Sequence, residues 1–283
     1  YTARSKEFRE WEGVMKAAAT CDKYGIEGIV TIGGDGTFRG AVDLTDAGVP
    51  CIGIPGTIDN DIASTEMTIG FDTAMNTVVE LVDKLRDTSE SHARCTVVEV
   101  MGREAGDIAL QTSIAVGAVT AVIKEIPTDF DHVIEKMVEA RKGGKRNFII
   151  IASEGMGHDY GEGLAKMIEE RTGIESRFAR LAHIQRGGSP TLRDRVLATQ
   201  MGCAAVENLV EGQMKQVMCL RGNNIVAMDI YDALTVDKLM KGKLKPEEEE
   251  AIPPNKLYEM KRIVADKQAY KKYLNYIIDH ITL

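Results

Sequence analysis

The stretch Ile54-Pro55-Gly56-Thr57-Ile58-Asp59-Asn60-Asp61 gathers two carboxylates and a hydroxyl directly after the apolar run Cys51 to Ile54. In open α/β sheets the loop that follows a parallel strand is where ligands bind. Pro55 and Gly56 set a sharp turn, so Thr57, Asp59 and Asp61 project from one rigid backbone. Such a loop suits proton abstraction beside a magnesium-bound phosphate, and Asp59, central in it, is the candidate general base. The alternative is an Asx-type turn with solvated carboxylates, which the density of polar groups after an apolar strand disfavours.

Asp35 lies 24 residues upstream of Asp59, in Gly33-Gly34-Asp35-Gly36-Thr37, between a strand pattern and a helix pattern. Glycines there permit a tight turn and close backbone approach to a polyphosphate, with helix N-terminal amides facing the anion. Asp35 is the candidate Mg2+ ligand, because magnesium takes a carboxylate together with phosphate oxygens. An ordinary strand-to-helix turn is the alternative. NAD kinases and diacylglycerol-type lipid kinases carry the same five residues, so this loop alone does not choose among kinases.

Three further loops follow the same logic. Met101-Gly102-Arg103 comes after the strand pattern Thr96 to Val100; Arg103 either neutralises charge on a transferring phosphoryl or pairs structurally with Glu99 or Asp107. Glu154, in Ser153-Glu154-Gly155-Met156-Gly157, ends the run Asn147 to Ala152 and can accept hydrogen bonds from sugar hydroxyls. His183-Ile184-Gln185-Arg186-Gly187-Gly188-Ser189-Pro190 is basic and glycine-rich, with Arg177, Arg180, Arg193 and Arg195 close in sequence. Imidazole and guanidinium donors suit a sugar phosphate, although a lone histidine is more often structural.

Short β-rich runs alternate with helical patterns and must position these loops. Strands are expected at Gly28–Ile32, Cys51–Ile54, Thr96–Val100, Ala121–Ile123, Asn147–Ala152, Phe178–Ala182 and Gln216–Leu220. Helices are expected at Lys6–Tyr24, Thr37–Ala47, Gly70–Arg86, Ala105–Val116, Asp131–Arg141, Gly163–Arg171, Asp194–Glu211 and Lys256–Ile281. Near-continuous apolar strands alternating with helices predict doubly wound α/β folding with mainly parallel sheets. The charge runs Lys238–Lys245 and Glu247–Glu250 read as a solvated linker or helix start.

Composition narrows the function class. The 283 residues suffice for one large or two ordinary α/β domains. A net charge of −8 and a pI near 5.3 exclude a nucleic-acid binder held by bulk electrostatics. No apolar run is long enough to span a membrane, so no membrane partner is expected. Five scattered cysteines without a C-x-x-C pair indicate reduced thiols and a cytoplasmic setting.

From about Ala3 to Asp232 the chain resembles a bacterial-type ATP-dependent 6-phosphofructokinase. The resemblance rests on Gly33–Gly36, Pro55–Asp61, Met101–Arg103, Glu154 and His183–Gly188 in that order. It implies two Rossmann-like domains: residues 1–70 with 186–238 for ATP, and 71–185 with 239–283 for the sugar phosphate. It implies transfer of the ATP γ-phosphoryl to the 1-hydroxyl of fructose 6-phosphate, with Asp59 as base, Asp35 on magnesium, and Thr57 and Arg103 steadying the phosphoryl. Gly33, Gly34, Gly36, Thr37 and Arg4 would contact ATP. Met101, Gly102, Glu154, His183 and Arg186 would hold the sugar phosphate, and Arg94 and Arg177 would reach it from a neighbouring subunit of a homo-oligomer, usually a tetramer.

The resemblance also sets the alternatives. Pyrophosphate-using relatives typically carry Asp where Gly36 stands and Lys where Gly56 stands, so ATP is the implied donor over pyrophosphate. A non-catalytic regulatory or scaffold subunit would keep the fold without Asp35, Asp59 and Arg103. The sequence opens on Tyr1 and a helical pattern, so the family's first βα units and glycine-rich ATP loop are expected to lie outside it. Residues 1–283 alone are therefore expected to bind ATP poorly and to be inactive, which an isothermal titration checks. Arg86 and Lys145 match effector phosphate positions, but Val119 replaces a metal-binding glutamate and Gly143 a lysine, leaving effector control doubtful.

Overall fold

The computed structural model of the chain describes residues 5–281; Arg4 lies outside them. A 3-10 turn at Glu7–Arg9 precedes α1 (Trp11–Tyr24), β1 (Ile29–Gly33), α2 (Asp35–Asp46), β2 (Cys51–Pro55), α3 (Phe71–His92) and β3 (Cys95–Val100). Then follow α4 (Asp107–Val116), β4 (Thr120–Val122), α5 (Phe130–Lys142), β5 (Phe148–Ser153), α6 (Tyr160–Thr172) and β6 (Ser176–Arg180). The last are α7 (Leu192–Val210), β7 (Gln216–Arg221), β8 (Asn224–Asp229), α8 (Ile230–Met240), α9 (Pro246–Glu250) and α10 (Pro254–Ile281).

The chain forms two compact units. The first takes residues up to Thr57, then Ile62–Ile69 and Leu192–Lys267; the second takes Ile58–Asp61, Gly70–Thr191 and the chain from Gln268. The first unit's sheet runs β1-β2-β7-β8, with β8 antiparallel to β7 and the other pairs parallel. Its core gathers Val14, Phe38, Val42, Cys51, Val217 and Ile230. Gly53 lets α2 lie flat on the sheet, since a Cβ there would meet the Phe38 ring at 2.8 Å. That packing fixes the start of α2, where Asp35 stands.

The second unit's sheet is wholly parallel, in the order β4-β5-β3-β6. Every residue of β3 and β5 is buried, as expected of strands covered on both faces. Phe148, Ile150, Met137, Leu164 and Ile168 lie in this core. The loops carrying Met101–Arg103 and Glu154 leave the C-terminal ends of adjacent strands β3 and β5, paired up to Val100↔Ser153.

Several expected bounds change. The first helix starts at Trp11 rather than Lys6, because residues 7–9 form a separate 3-10 turn whose Glu7 carbonyl lies against Gly13. The third helix continues past Arg86 to His92. The hairpin strand β8 and helix α8 add to the expected elements. Pro246 and the acidic run Glu247–Glu250 form α9, where the Lys245 amide donates to Glu248 Oε2 at 3.1 Å. Among the described residues no helix is long and apolar enough to cross a membrane.

All five cysteines are free; only Cys203 is exposed. Burial pushes the Cys95 thiol up to about 12 and the Cys219 thiol up to about 11. A thiolate-selective reagent is therefore expected to label Cys203 alone in the native chain and the remaining four only after unfolding. Rapid native labelling of Cys95 would contradict the described core.

Candidate active site

In the first unit, two loops leave the ends of adjacent strands. β1 and β2 pair in parallel up to Gly33↔Pro55, and the Gly56 amide donates to the Gly33 carbonyl at 3.0 Å. Gly34 caps α2, so Asp35, Gly36 and Thr37 form its first turn. Asp35 Oδ1 accepts from the Gly36 amide at 2.8 Å, and its Oδ2 holds Arg39 at 3.2 Å.

The glycines of this loop have different reasons. A Cβ at Gly33 would overlap the Thr37 side chain, whereas one at Gly34 or Gly36 would meet no protein atom within 4 Å. The fold itself does not require Gly36, and the bare backbone leaves a cradle that a polyphosphate fits. Asp35 is the acid of this turn, and no group of three or more His, Cys, Asp or Glu among the described residues gathers to hold a metal. A single carboxylate suits Mg2+ where phosphate supplies further oxygens.

Thr57 closes the first unit's part of the second loop, and its carbonyl accepts the Thr68 hydroxyl at 2.6 Å. Asp59, Asn60 and Asp61 belong to the second unit. Asp59 is 5% exposed. The Arg103 Nε lies 3.1 Å from Asp59 Oδ2, and an Arg103 terminal nitrogen lies 3.7 Å from Asp61 Oδ2. This settles the pairing left open by sequence: Glu99 instead holds Arg180 at 2.6 Å, and Asp107 holds Lys271 at 2.5 Å.

Arg103 reaches these acids from an unfavourable backbone. Its φ is 53°, a left-handed conformation uncommon for residues other than glycine. Glu154 Oε1 accepts from the amides of Gly102 at 3.2 Å and Arg103 at 2.8 Å. Gly155 lies so near that a Cβ there would overlap the Arg103 carbonyl oxygen. Gly102, with φ 135°, would bring a Cβ to 2.5 Å of the Ala105 carbonyl oxygen. Beside this loop, Glu99, Arg103, Glu104, Glu154, His158 and Arg180 line a cavity of about 560 Å³.

The other candidates are placed as follows. Met101 is buried, and its amide donates to Gln185 Oε1 at 3.2 Å. Gln185, itself 1% exposed, lies in the 3-10 turn Ala182–Arg186 that leaves His183 and Arg186 exposed. Sequence reasoning quoted Gln185 within its motif without giving it a task; its burial is visible only in the fold. Arg94 Nε meets Glu175 Oε2 at 2.8 Å, and Arg177 pairs with the other Glu175 oxygen. Both arginines lower the pKa of Glu175, Arg94 most strongly. Arg86 donates to the Val116 carbonyl, and Lys145 lies 5.7 Å over the Phe148 ring, its pKa lowered by burial and then by Arg86.

Residues 1–209 match the phosphofructokinase family model. The chain belongs to the phosphofructokinase family. It is 50% identical over 244 residues to an ATP-dependent 6-phosphofructokinase of Bacillus licheniformis, covering 85% of this chain and 76% of that protein. A Clostridium tetani ATP-dependent 6-phosphofructokinase is 51% identical over 236 residues, 83% of this chain and 73% of that one. Among solved structures, a phosphofructokinase from Saccharomyces cerevisiae superposes with TM-score 0.80 at 29% identity, over 95% of this chain and 39% of that chain. A pyrophosphate-dependent phosphofructokinase from Marinobacter aquaeolei shares the fold, with TM-score 0.69 at 21% identity over 81% of this chain and 64% of that one.

Proposed function

We propose that this phosphofructokinase-family chain transfers the γ-phosphoryl of ATP to the 1-hydroxyl of fructose 6-phosphate, giving fructose 1,6-bisphosphate in glycolysis. The observation that carries the reading is Arg103, held by Glu154 in a left-handed backbone and paired with both Asp59 and Asp61. Asp59 takes the proton of the sugar hydroxyl, and Arg103 neutralises charge on the transferring phosphoryl. Thr57 steadies that group. Gly33, Gly34, Gly36 and Thr37 receive the nucleotide phosphates, and Asp35 holds magnesium, which when bound offsets phosphate charge. Met101, Gly102, Glu154, His183 and Arg186 hold the sugar phosphate. Arg94 and Arg177, with Glu175 as their partner within the chain, serve a neighbouring subunit in a homotetramer, and the free thiols support a cytoplasmic setting.

ADP release coupled to added fructose 6-phosphate, with ATP and pyrophosphate compared as donors, tests the reading in a full-length parent. Turnover with pyrophosphate alone would overturn the donor assignment. Gly36 gives a sharper test, because its surroundings leave room for a side chain. Gly36→Asp is expected to leave the melting temperature unchanged while cutting ATP-dependent kcat/KM at least about 10-fold through an added charge beside the phosphates. Gly56 is less free: a Cβ there would meet Ile32 Cγ2 at 2.8 Å, so part of its role is local packing.

A further inference from the structure

We propose that Lys271, on the C-terminal helix α10, is a positioning residue that sets the Arg103 loop from behind; the proposal rests on the sugar-kinase reading of that loop. Helix α10 lies beyond the residues 1–209 that the family model matches. Lys271 belongs to the second unit and is 5% exposed; its Nζ meets Asp107 Oδ2 at 2.5 Å and Glu125 Oε1 at 2.8 Å. Asp107 is the first residue of α4. The same Glu125 oxygen accepts the Gly106 amide at 2.9 Å. One ammonium thus ties together the carboxylates that flank the end of the Met101–Gly106 turn.

That turn leaves little slack. The Ala105 amide donates to the Gly102 carbonyl at 2.9 Å, and the Leu110 amide to the Gly106 carbonyl at 2.9 Å. A Cβ at Gly106 would lie 2.6 Å from Ile123 Cγ2. Gly106 is therefore wedged against β4's exit and cannot drift outward, while Glu125 and Lys271 hold its amide. Burial alone lowers the Lys271 pKa, yet Asp107 and then Glu125 hold it above the ordinary lysine value, so the ammonium persists between buried Asp107 and the more open Glu125. Removing it leaves those carboxylates facing each other without a counter-charge. The turn can relieve that repulsion only by releasing Gly106 or the first turn of α4, and Arg103 is three residues away.

The test compares wild type, Lys271→Met and, should the first variant fold poorly, Glu125→Gln, which retains an acceptor for Gly106 but weakens the ion pair. Hydrogen exchange of the peptide spanning residues 101–110 needs no substrate. It is expected to quicken at least about 10-fold in Lys271→Met, and less in Glu125→Gln. In a full-length parent the KM for fructose 6-phosphate should rise about 10-fold while the KM for ATP stays within about 2-fold. Faster exchange confined to residues 268–281, with residues 101–110 and both KM values unchanged, would show a purely structural anchor and overturn the proposal. A wild-type parent without sugar-phosphate turnover would sink the kinase reading, and the exchange measurement would still decide whether Lys271 holds the loop.

Discussion

Asp59→Ser is expected to lower kcat by about 10³-fold with fructose 6-phosphate KM nearly unchanged. That factor corresponds to about 4 kcal/mol of lost transition-state stabilisation. Serine keeps a small polar group in a position that is 5% exposed, so the fold should survive. The carboxylate is lost, and with it both the proton acceptor and the partner of Arg103 at 3.1 Å. Asp61, at 3.7 Å, still receives the guanidinium, which keeps Arg103 from swinging away and confines the defect to the chemical step. The ADP-release assay on a full-length parent reads it. Turnover within 5-fold of wild type would remove Asp59 from the proton transfer.

Gly155→Ala is expected to impair the same reaction without altering any group that touches substrate. The new methyl would overlap the Arg103 carbonyl oxygen, a backbone atom that cannot rotate aside. Arg103 already occupies φ 53°, so the relief available is displacement of the whole 102–104 turn. A shift of about 1 Å in a positioning group can cost about 10²-fold in rate. Overpacking of this kind destabilises by roughly 1–3 kcal/mol. Arg103→Gly supplies the control: it relaxes the backbone but deletes the guanidinium and with it the counter-charge of Asp59, so it should lose activity even with the turn unstrained. A Gly155→Ala enzyme with wild-type kcat/KM and melting temperature would falsify the account of the turn.

The loops after β2, β3 and β5 were legible because each follows an apolar run whose burial on both sheet faces is written in consecutive residues, as in Phe148-Ile149-Ile150-Ile151-Ala152. Strand β8 was not, since its residues are only partly buried and alternate weakly. Partners were harder than positions. Arg103 could be placed at a strand end, but choosing Asp59 over Glu99 or Asp107 needs the tertiary register that gives those acids to Arg180 and Lys271. Glu154 carried a sequence signal as an acceptor; that its oxygen meets two backbone amides is a product of the β3–β5 pairing. Lys271 offered no signal, because a lysine on a charged helix reads as solvated until packing buries it.

The pairing Gly33↔Pro55 turns the spacing of the phosphate loop and Thr57 into a matter of counting residues. Deleting one residue from β2 would draw Thr57 back by about 3.3 Å and exchange the two faces of the strand. Drift in length within the lineage should therefore be confined to turns such as Gly143-Gly144 and Gly222, where positive φ marks a surface bend at Gly144 and Gly222. Substitutions accumulate anywhere the core permits; insertions have only those few places to go.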